Sequence, residues 1–296
     1  MARSTRPAVL YRVMGIALLL VALGGFYQGW RQISEDVLVV LTFHGVVEQP
    51  TQPWEVTPAT LDETLQRLQR HGYVPIAPAD FQAWWQGSLP SGRRFLVTFD
   101  DGLTSSGQAI AKLARKQGIR CLWFIVTDLL GRPGYATPED LRRLASDAGC
   151  VFGLHGKTHE EFPKILQEGR DLAAEVRVGK ATLETLTGNL VEFFAYPYGV
   201  YSTATRDLVA SSGLRFGFTV EPWAVQRGED DPFLLPRLMF LRGNEEFGDW
   251  TPPRQARTGG LTLTLAMFVL LLSLRMFVRA WETDRGTRRA PGGGGP

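Results

Sequence analysis

The stretch FLVTFDDGLTS, residues 95–105, decides the reading of the fold. Phe95–Phe99 is a short, mostly apolar run bounded by turn signals, the pattern of a buried strand. It passes straight into two adjacent carboxylates, Asp100 and Asp101, and then into Gly102, where the chain turns. Two like charges side by side at the mouth of a buried strand repel each other, so each needs a separate reason to be there.

Working outward, further strand-like runs lie at 37–43, 73–77, 119–126, 150–154, 191–196 and 214–220, with 234–240 as a possible last. Helical patterns separate them at 57–72, 78–87, 105–118, 137–149, 169–188 and 202–213. The helix at 57–72 shows the logic: Thr57 caps it, Pro58 takes the first position, Leu61, Leu65 and Leu68 share a face, and Gly72 ends it. Strands that alternate with helices over 37–241 predict an α/β fold with parallel strands. A closed or distorted β/α barrel of seven or eight strands fits the strand count best, and a doubly wound open sheet is the alternative. In both, chemistry gathers beyond the C-terminal strand ends.

The polar residues capable of chemistry fall at those ends. Asp100 and Asp101 follow one strand, His155 another, His44 the first, and Tyr198 stands two residues past 191–196. Of four histidines, only His71 sits elsewhere, in a helix tail. His155 and His159 are four apart, so one helical turn would put both imidazoles on one face, suited to one metal ion. One carboxylate of the Asp pair completes a two-histidine, one-aspartate set that leaves room for water and substrate. The other carboxylate is then free to accept a proton from that water. Alone, DDG is most often a polar turn and H-x-x-x-H a surface pair; their order at successive strand ends is far more specific.

The bulk composition bounds the partners. The chain has 296 residues, 44% hydrophobic and 21% charged, with formal net charge +2. Its basic excess lies at the termini, in Arg3, Arg6 and Arg12 and in Arg275, Arg279, Arg285, Arg288 and Arg289, which leaves the middle slightly acidic. A nucleic-acid binder would carry a basic field there, so that class is excluded. Cys121 and Cys150 lie in apolar runs and read as buried free thiols, with a bridge as the alternative in an oxidising compartment.

Two segments look made for lipid. Residues 13–30 hold no charge between Arg12 and Arg31, and 259–274 are equally uncharged, the apolar pattern running on to Trp281 past Arg275. The first has a poor cleavage site, Ala22-Leu23-Gly24 at best, and is read as a retained anchor rather than a signal peptide. Arginines on the outer side of both place both termini in the cytoplasm. The expected organisation is a basic cytoplasmic start (1–12), a transmembrane helix (13–30), an extracytoplasmic domain (31–258), a second transmembrane helix (259–281) and a disordered cytoplasmic tail (282–296) ending in APGGGGP. The protein is thus expected in the cell membrane.

The motifs TFDDG (98–102), HGKTH (155–159) and FAYPYG (194–199) resemble those of the polysaccharide deacetylase family of carbohydrate esterases. The stretch from LTFHGV (41–46) to TFDDG also looks like its poly-N-acetylglucosamine deacetylase branch. The resemblance covers roughly 37–242. It implies a distorted β/α barrel and a divalent metal, often zinc. It implies Asp100 as base, Asp101, His155 and His159 as metal ligands, and a backbone N–H near Tyr198 for the developing oxyanion. The reaction implied is removal of N-acetyl groups from amino sugars. No histidine follows His159 to serve as acid, and Phe43-His44 stands where circularly permuted members supply it, so His44 is assigned that role. Gly156 replaces a usual Ser or Thr, Ala195 a usual base-orienting arginine, and no Asp-x-x-Asp-Trp segment is present. Arg237, in DPFLLPRL (231–238), is the candidate to replace that arginine. Two other readings remain open: a deacylase of a lipid-linked sugar, and an inactive glycan-binding protein of an export or synthase complex.

Overall fold

The computed structural model describes residues 13, 14, 16–24, 37–241, 267, 269–275 and 278. The chain divides into two units, Val37–Arg254 and the two terminal segments, Met1–Asp36 with Gln255–Pro296. Described residues of the terminal unit are helical. Among the described residues, no helix is long and apolar enough to cross a membrane. The remainder of the expected spans 13–30 and 259–281, and all of 1–12 and 282–296, lie outside the described residues.

The larger unit contains an eight-stranded parallel sheet. Its strands are β1 (Val37–Phe43), β4 (Val74–Pro75), β5 (Arg93–Phe99), β6 (Cys121–Ile125), β7 (Val151–Leu154), β8 (Phe193–Ala195), β9 (Phe216–Phe218) and β10 (Leu238–Met239). A separate two-stranded ribbon joins β2 (Gly45–Val46) to β3 (Glu55–Val56). The helices are α1 (Pro58–Arg70), α2 (Phe81–Trp85), α3 (Thr104–Gln117), α4 (Pro138–Ala148), α5 (Phe162–Gln167), α6 (Leu172–Thr187) and α7 (Thr203–Ser211).

The strand order is β10-β1-β5-β6-β7-β8-β9, with β4 on β5. From β5 to β9 it follows the sequence with no reversal, so the sheet lacks the switch point of a doubly wound fold. It curls into a half-barrel. The curl does not become a continuous ladder because the late strands are only two or three residues long. β7 and β8 share a single register pair, Leu154 with Phe194, and one bridge, Phe218 to Leu235, draws the segment before β10 alongside β9.

Side-chain alternation sorts the core into two layers. Leu38, Val40, Leu96, Leu122, Phe124 and Phe218 belong to the cluster inside the curl. Val39, Leu41, Phe43, Val97, Trp123 and Ile125 face the helices with Leu61, Leu65 and Leu144. α2 plugs the inner cluster: the Phe81 ring meets those of Phe193, Phe216 and Phe218 at 4.8–5.8 Å. Toward the C-terminal strand ends the interior turns polar, with Thr42, Thr98, Thr219 and Arg237 fully buried. Both cysteines are free and buried.

Candidate active site

β1, β5, β7 and β8 deliver the site. Asp100 N–H donates to Phe43 O at 2.9 Å and His155 N–H to Ile125 O at 2.9 Å, so the ladders carry both residues to the open rim. Three non-glycine residues among those described have positive φ: Asp101 (69°), His159 (67°) and Tyr198 (59°). Each such conformation costs on the order of 1–3 kcal/mol, and all three sit here.

The repulsion between the two aspartates is resolved by giving each its own partners. Asp100 is buried and receives a two-pronged bond from Arg237, Nη1 to Oδ1 and Nη2 to Oδ2, both at 2.8 Å. The guanidinium is itself fixed: Nε donates to Thr219 O at 2.9 Å, Nη1 to Thr98 Oγ1 at 3.3 Å, and the Phe124 ring lies 5.1 Å away. The segment carrying Arg237 is tied down by Arg206, whose Nε and Nη2 grip Asp231 at 2.8 and 2.9 Å, and by Leu235, paired to Gly217 and Thr219. Burial alone would raise the Asp100 pKa; Arg237, then His155 and His44, outweigh it and hold the carboxyl below the usual carboxylate range.

Asp101 turns the other way. Its Oδ1 lies 3.5 Å from His155 Nε2 and 3.2 Å from His159 Nε2. The side chain is half-buried, but Oδ1 itself is buried and has no hydrogen-bond partner among the described residues. His155 Nδ1 sits 2.8 Å from Ala195 O. A carbonyl only accepts, so Nδ1 carries the proton and the Nε2 lone pair faces Asp101. One ligand atom from each of the three residues lies within 4.8 Å of the others. Around an ion with bonds of about 2.0–2.1 Å in tetrahedral geometry, neighbouring ligand atoms stand about 3.3–3.4 Å apart. The two measured edges bracket that value, and an orphaned buried carboxylate oxygen between two imidazole nitrogens is what such an ion would satisfy. The residues present therefore fit a divalent cation. Burial pushes His155 down to about 4, against the opposing pull of Asp100 and Asp101. The imidazole is thus neutral at pH 7, as a ligand must be. Burial would raise Asp101, but His159, His44 and His155 outweigh it and lower it.

The two histidines do not meet through a helical turn, contrary to the expectation from their spacing. Residues 155–160 form a loop. Glu175, buried on α6, shapes it: one oxygen, Oε2, accepts from Lys157 N–H at 3.0 Å, Thr158 N–H at 2.9 Å and the Thr158 hydroxyl at 3.1 Å. Gly156 has φ +79°, a conformation any Cβ strains, which accounts for glycine there. Sequence reading passed over Glu175. The signal was an acid on the inward face of a helix, in register with Leu172, Val176, Gly179 and Leu183.

Tyr198 stacks its ring 4.7 Å from that of His159 and places its hydroxyl 3.4 Å from Nδ1. The turn at Pro197–Gly199 uses the amides of Gly199 and Val200, so the Tyr198 N–H, at its N-terminal end, has no partner within it. His44 borders the same cleft, with Nδ1 buried and unpartnered among the described residues. All six expected site residues thus line one cleft of about 1060 Å³.

Residues 89–217 match the sequence model of the polysaccharide deacetylase family. YxkH of Bacillus subtilis (strain 168), named as a polysaccharide deacetylase, is 24% identical over 163 residues, covering 55% of this chain; the chain spans 57% of that protein's length. IcaB from Ammonifex degensii superposes with a TM-score of 0.63 at 24% identity, over 77% of this chain and 97% of that one. A de-N-acetylase from Aggregatibacter actinomycetemcomitans gives 0.62 at 16% identity, over 72% and 97%. At those identities the two likenesses show a shared fold. Residues 89–217, which supply both aspartates together with His155 and His159, are thus similar in sequence to the polysaccharide deacetylase family.

Proposed function

We propose that this protein is a metal-dependent hydrolase that removes N-acetyl groups from amino sugars of an extracytoplasmic polysaccharide. One observation carries the reading: Asp101, His155 and His159 converge beside an aspartate locked onto a buried arginine, in an open cleft. Asp101 and the two Nε2 atoms would hold the cation, with zinc matching the nitrogen-rich donor set. When bound, the cation supplies Lewis acidity that lowers the pKa of a water and polarises an acyl oxygen.

The chain's own residues do the rest. Asp100 Oδ2 lies 3.8 Å from His155 Nε2, at the edge of the ligand cluster, and is ionised at neutral pH. It accepts the proton of the attacking water, with Arg237 fixing its plane. The Tyr198 N–H donates to the oxyanion that forms on the acetyl carbonyl. His44 protonates the departing sugar nitrogen, so the amide C–N bond breaks to acetate and amine. Glu175 and Tyr198 orient the ligand loop. The arginine-flanked segments 13–30 and 259–281 support a membrane-held domain on the outer side.

The test is acetate release from a panel of N-acetylated glycans. Dialysis against chelator should abolish it and added divalent metal restore it. Asp100→Asn should abolish it while the protein keeps its metal. Release that survives exhaustive chelation would end the metal-dependent reading.

A further inference from the structure

The cleft has a second chemical character away from the ligand cluster. Trp54 is 42% exposed, whereas Trp84 and Trp123 are fully buried. It borders the cleft at the end of the loop that joins β2 to β3. That loop is braced: Glu55 Oε2 accepts from Thr51 N–H at 2.6 Å, the Thr51 hydroxyl at 3.1 Å and Gln52 N–H at 2.8 Å. A large flat apolar side chain held in the open by a braced loop marks a contact surface. Tyr198, 60% exposed, lines the same cleft. The Trp54 loop follows β1 and Tyr198 follows β8, while Asp101 and His155, from β5 and β7, come between them in the strand order.

The rest of the lining narrows the ligand. Gln52, Thr104, Ser105 and Gln108 offer neutral donors and acceptors suited to hydroxyl groups. Among the described residues that line the cleft there is no lysine or arginine, and Glu55, Asp100 and Asp101 are present. Beside Trp54, away from Asp101, His155 and His159, a phosphate would find no lysine or arginine to pair with and would face the Glu55 carboxylate. The volume, about 1060 Å³, is at the upper end of what encloses a drug-sized ligand, so more than one pyranose ring fits.

We propose that Trp54 is the stacking platform for the sugar ring next to the one that reacts, and that the cleft takes a phosphate-free stretch of glycan rather than a sugar phosphate. A pyranose presents an axial C–H face that an indole covers, while its edge hydroxyls reach the neutral side chains. Which ring reacts rests on the deacetylase reading above.

The experiment uses zinc-loaded wild type, Trp54→Phe and Trp54→Leu. Phenylalanine keeps a flat ring; leucine keeps apolar volume without one. Each protein is titrated calorimetrically with N-acetylglucosamine, its β-linked pentamer and N-acetylglucosamine 1-phosphate, and acetate release is followed on the pentamer. Trp54→Leu should weaken pentamer binding about tenfold, the scale of one aromatic stacking contact, with a matching rise in KM and an unchanged kcat. Trp54→Phe should stay within a few-fold of wild type, the single sugar should be indifferent to both changes, and the phosphate should bind no better than the plain sugar. Equal pentamer binding by Trp54→Leu and wild type overturns the platform, as does equal loss in Phe and Leu; preference for the sugar phosphate overturns the phosphate-free cleft. Pentamer binding that depends on Trp54 without acetate release keeps the platform and removes the deacetylase reading. Acetate release with a KM indifferent to Trp54 does the reverse.

Discussion

Replacing Arg237 by methionine removes the charge and keeps much of the stem volume, and its effect follows from the geometry. Arg237 is fully buried and Asp100 nearly so, joined by two bonds of 2.8 Å. Removing one partner of a buried pair leaves the other charge uncompensated, at a cost of about 3–5 kcal/mol. For a domain of this size that corresponds to a fall in Tm of roughly 10 °C. The pH dependence identifies the cause. In the wild type the Asp100 pKa is held below its unfolded value by Arg237 against burial. Its stabilising contribution is therefore present above the unfolded pKa and lost as pH falls through the folded one. Without Arg237 only burial and the weaker histidine interactions remain, burial raises the folded pKa, and the sign reverses: the deficit is largest at neutral pH and shrinks in acid as Asp100 takes up a proton. The assay is urea unfolding of metal-stripped protein at pH 7 and pH 5, for wild type, Arg237→Met, Asp100→Leu and the double variant. The double variant, which buries neither charge, should recover most of the loss. A single-variant cost below about 1 kcal/mol, far under the range for a broken buried pair, or a deficit independent of pH, would refute this account of how Asp100 is held ionised.

Glu175→Ala should weaken zinc binding about 10- to 100-fold, the usual scale for residues that orient ligands. Glu175→Gln, whose carbonyl oxygen still accepts from the loop amides, should lose much less; competition against a fluorescent chelator reads both, and an unchanged affinity in the alanine variant contradicts the clamp. Burial depresses the His155 pKa to about 4, so its contribution is present above the unfolded value near 6.5 and is lost as pH falls toward 4. The full loss is about 3 kcal/mol. Metal-stripped wild type should therefore lose stability faster than His155→Gln between pH 7 and pH 4.5, and parallel unfolding curves would contradict it. Gly156→Ala should cost about 1–2 kcal/mol from its φ of +79° alone, since the nearest atom to the added Cβ, at 3.4 Å, is an ordinary contact. A neutral change in Tm would count against the loop geometry.

Strands with strong local patterns were legible in the sequence. β1 spans the predicted residues, and β5, β6 and β7 fall within one or two residues of theirs. α1, α4 and α7 start one residue after the caps that define them. The α5 helix and the β2–β3 ribbon, with two residues in each strand, are too short to carry a period, and their existence depends on packing. The rim positions of Asp101, His155 and His159 follow from strand ends, which sequence reveals; the means of convergence does not. Positive φ at Asp101 and His159 and the Glu175 clamp replace the helical turn that four-residue spacing suggests. The bond from Arg237 to Asp100 crosses 137 residues and the curl of the sheet. The sequence offered Arg237 in a late strand-like run as the candidate base-orienting arginine, but not the path by which it reaches Asp100.

The most direct test of the central arrangement is the metal content of purified protein, read by elemental mass spectrometry for wild type and single variants. Asp101→Ala, His155→Ala and His159→Ala should each lose the divalent cation that wild type and Asp100→Asn retain at one per chain. Full retention in those three variants would show that the cation is not held by Asp101, His155 and His159.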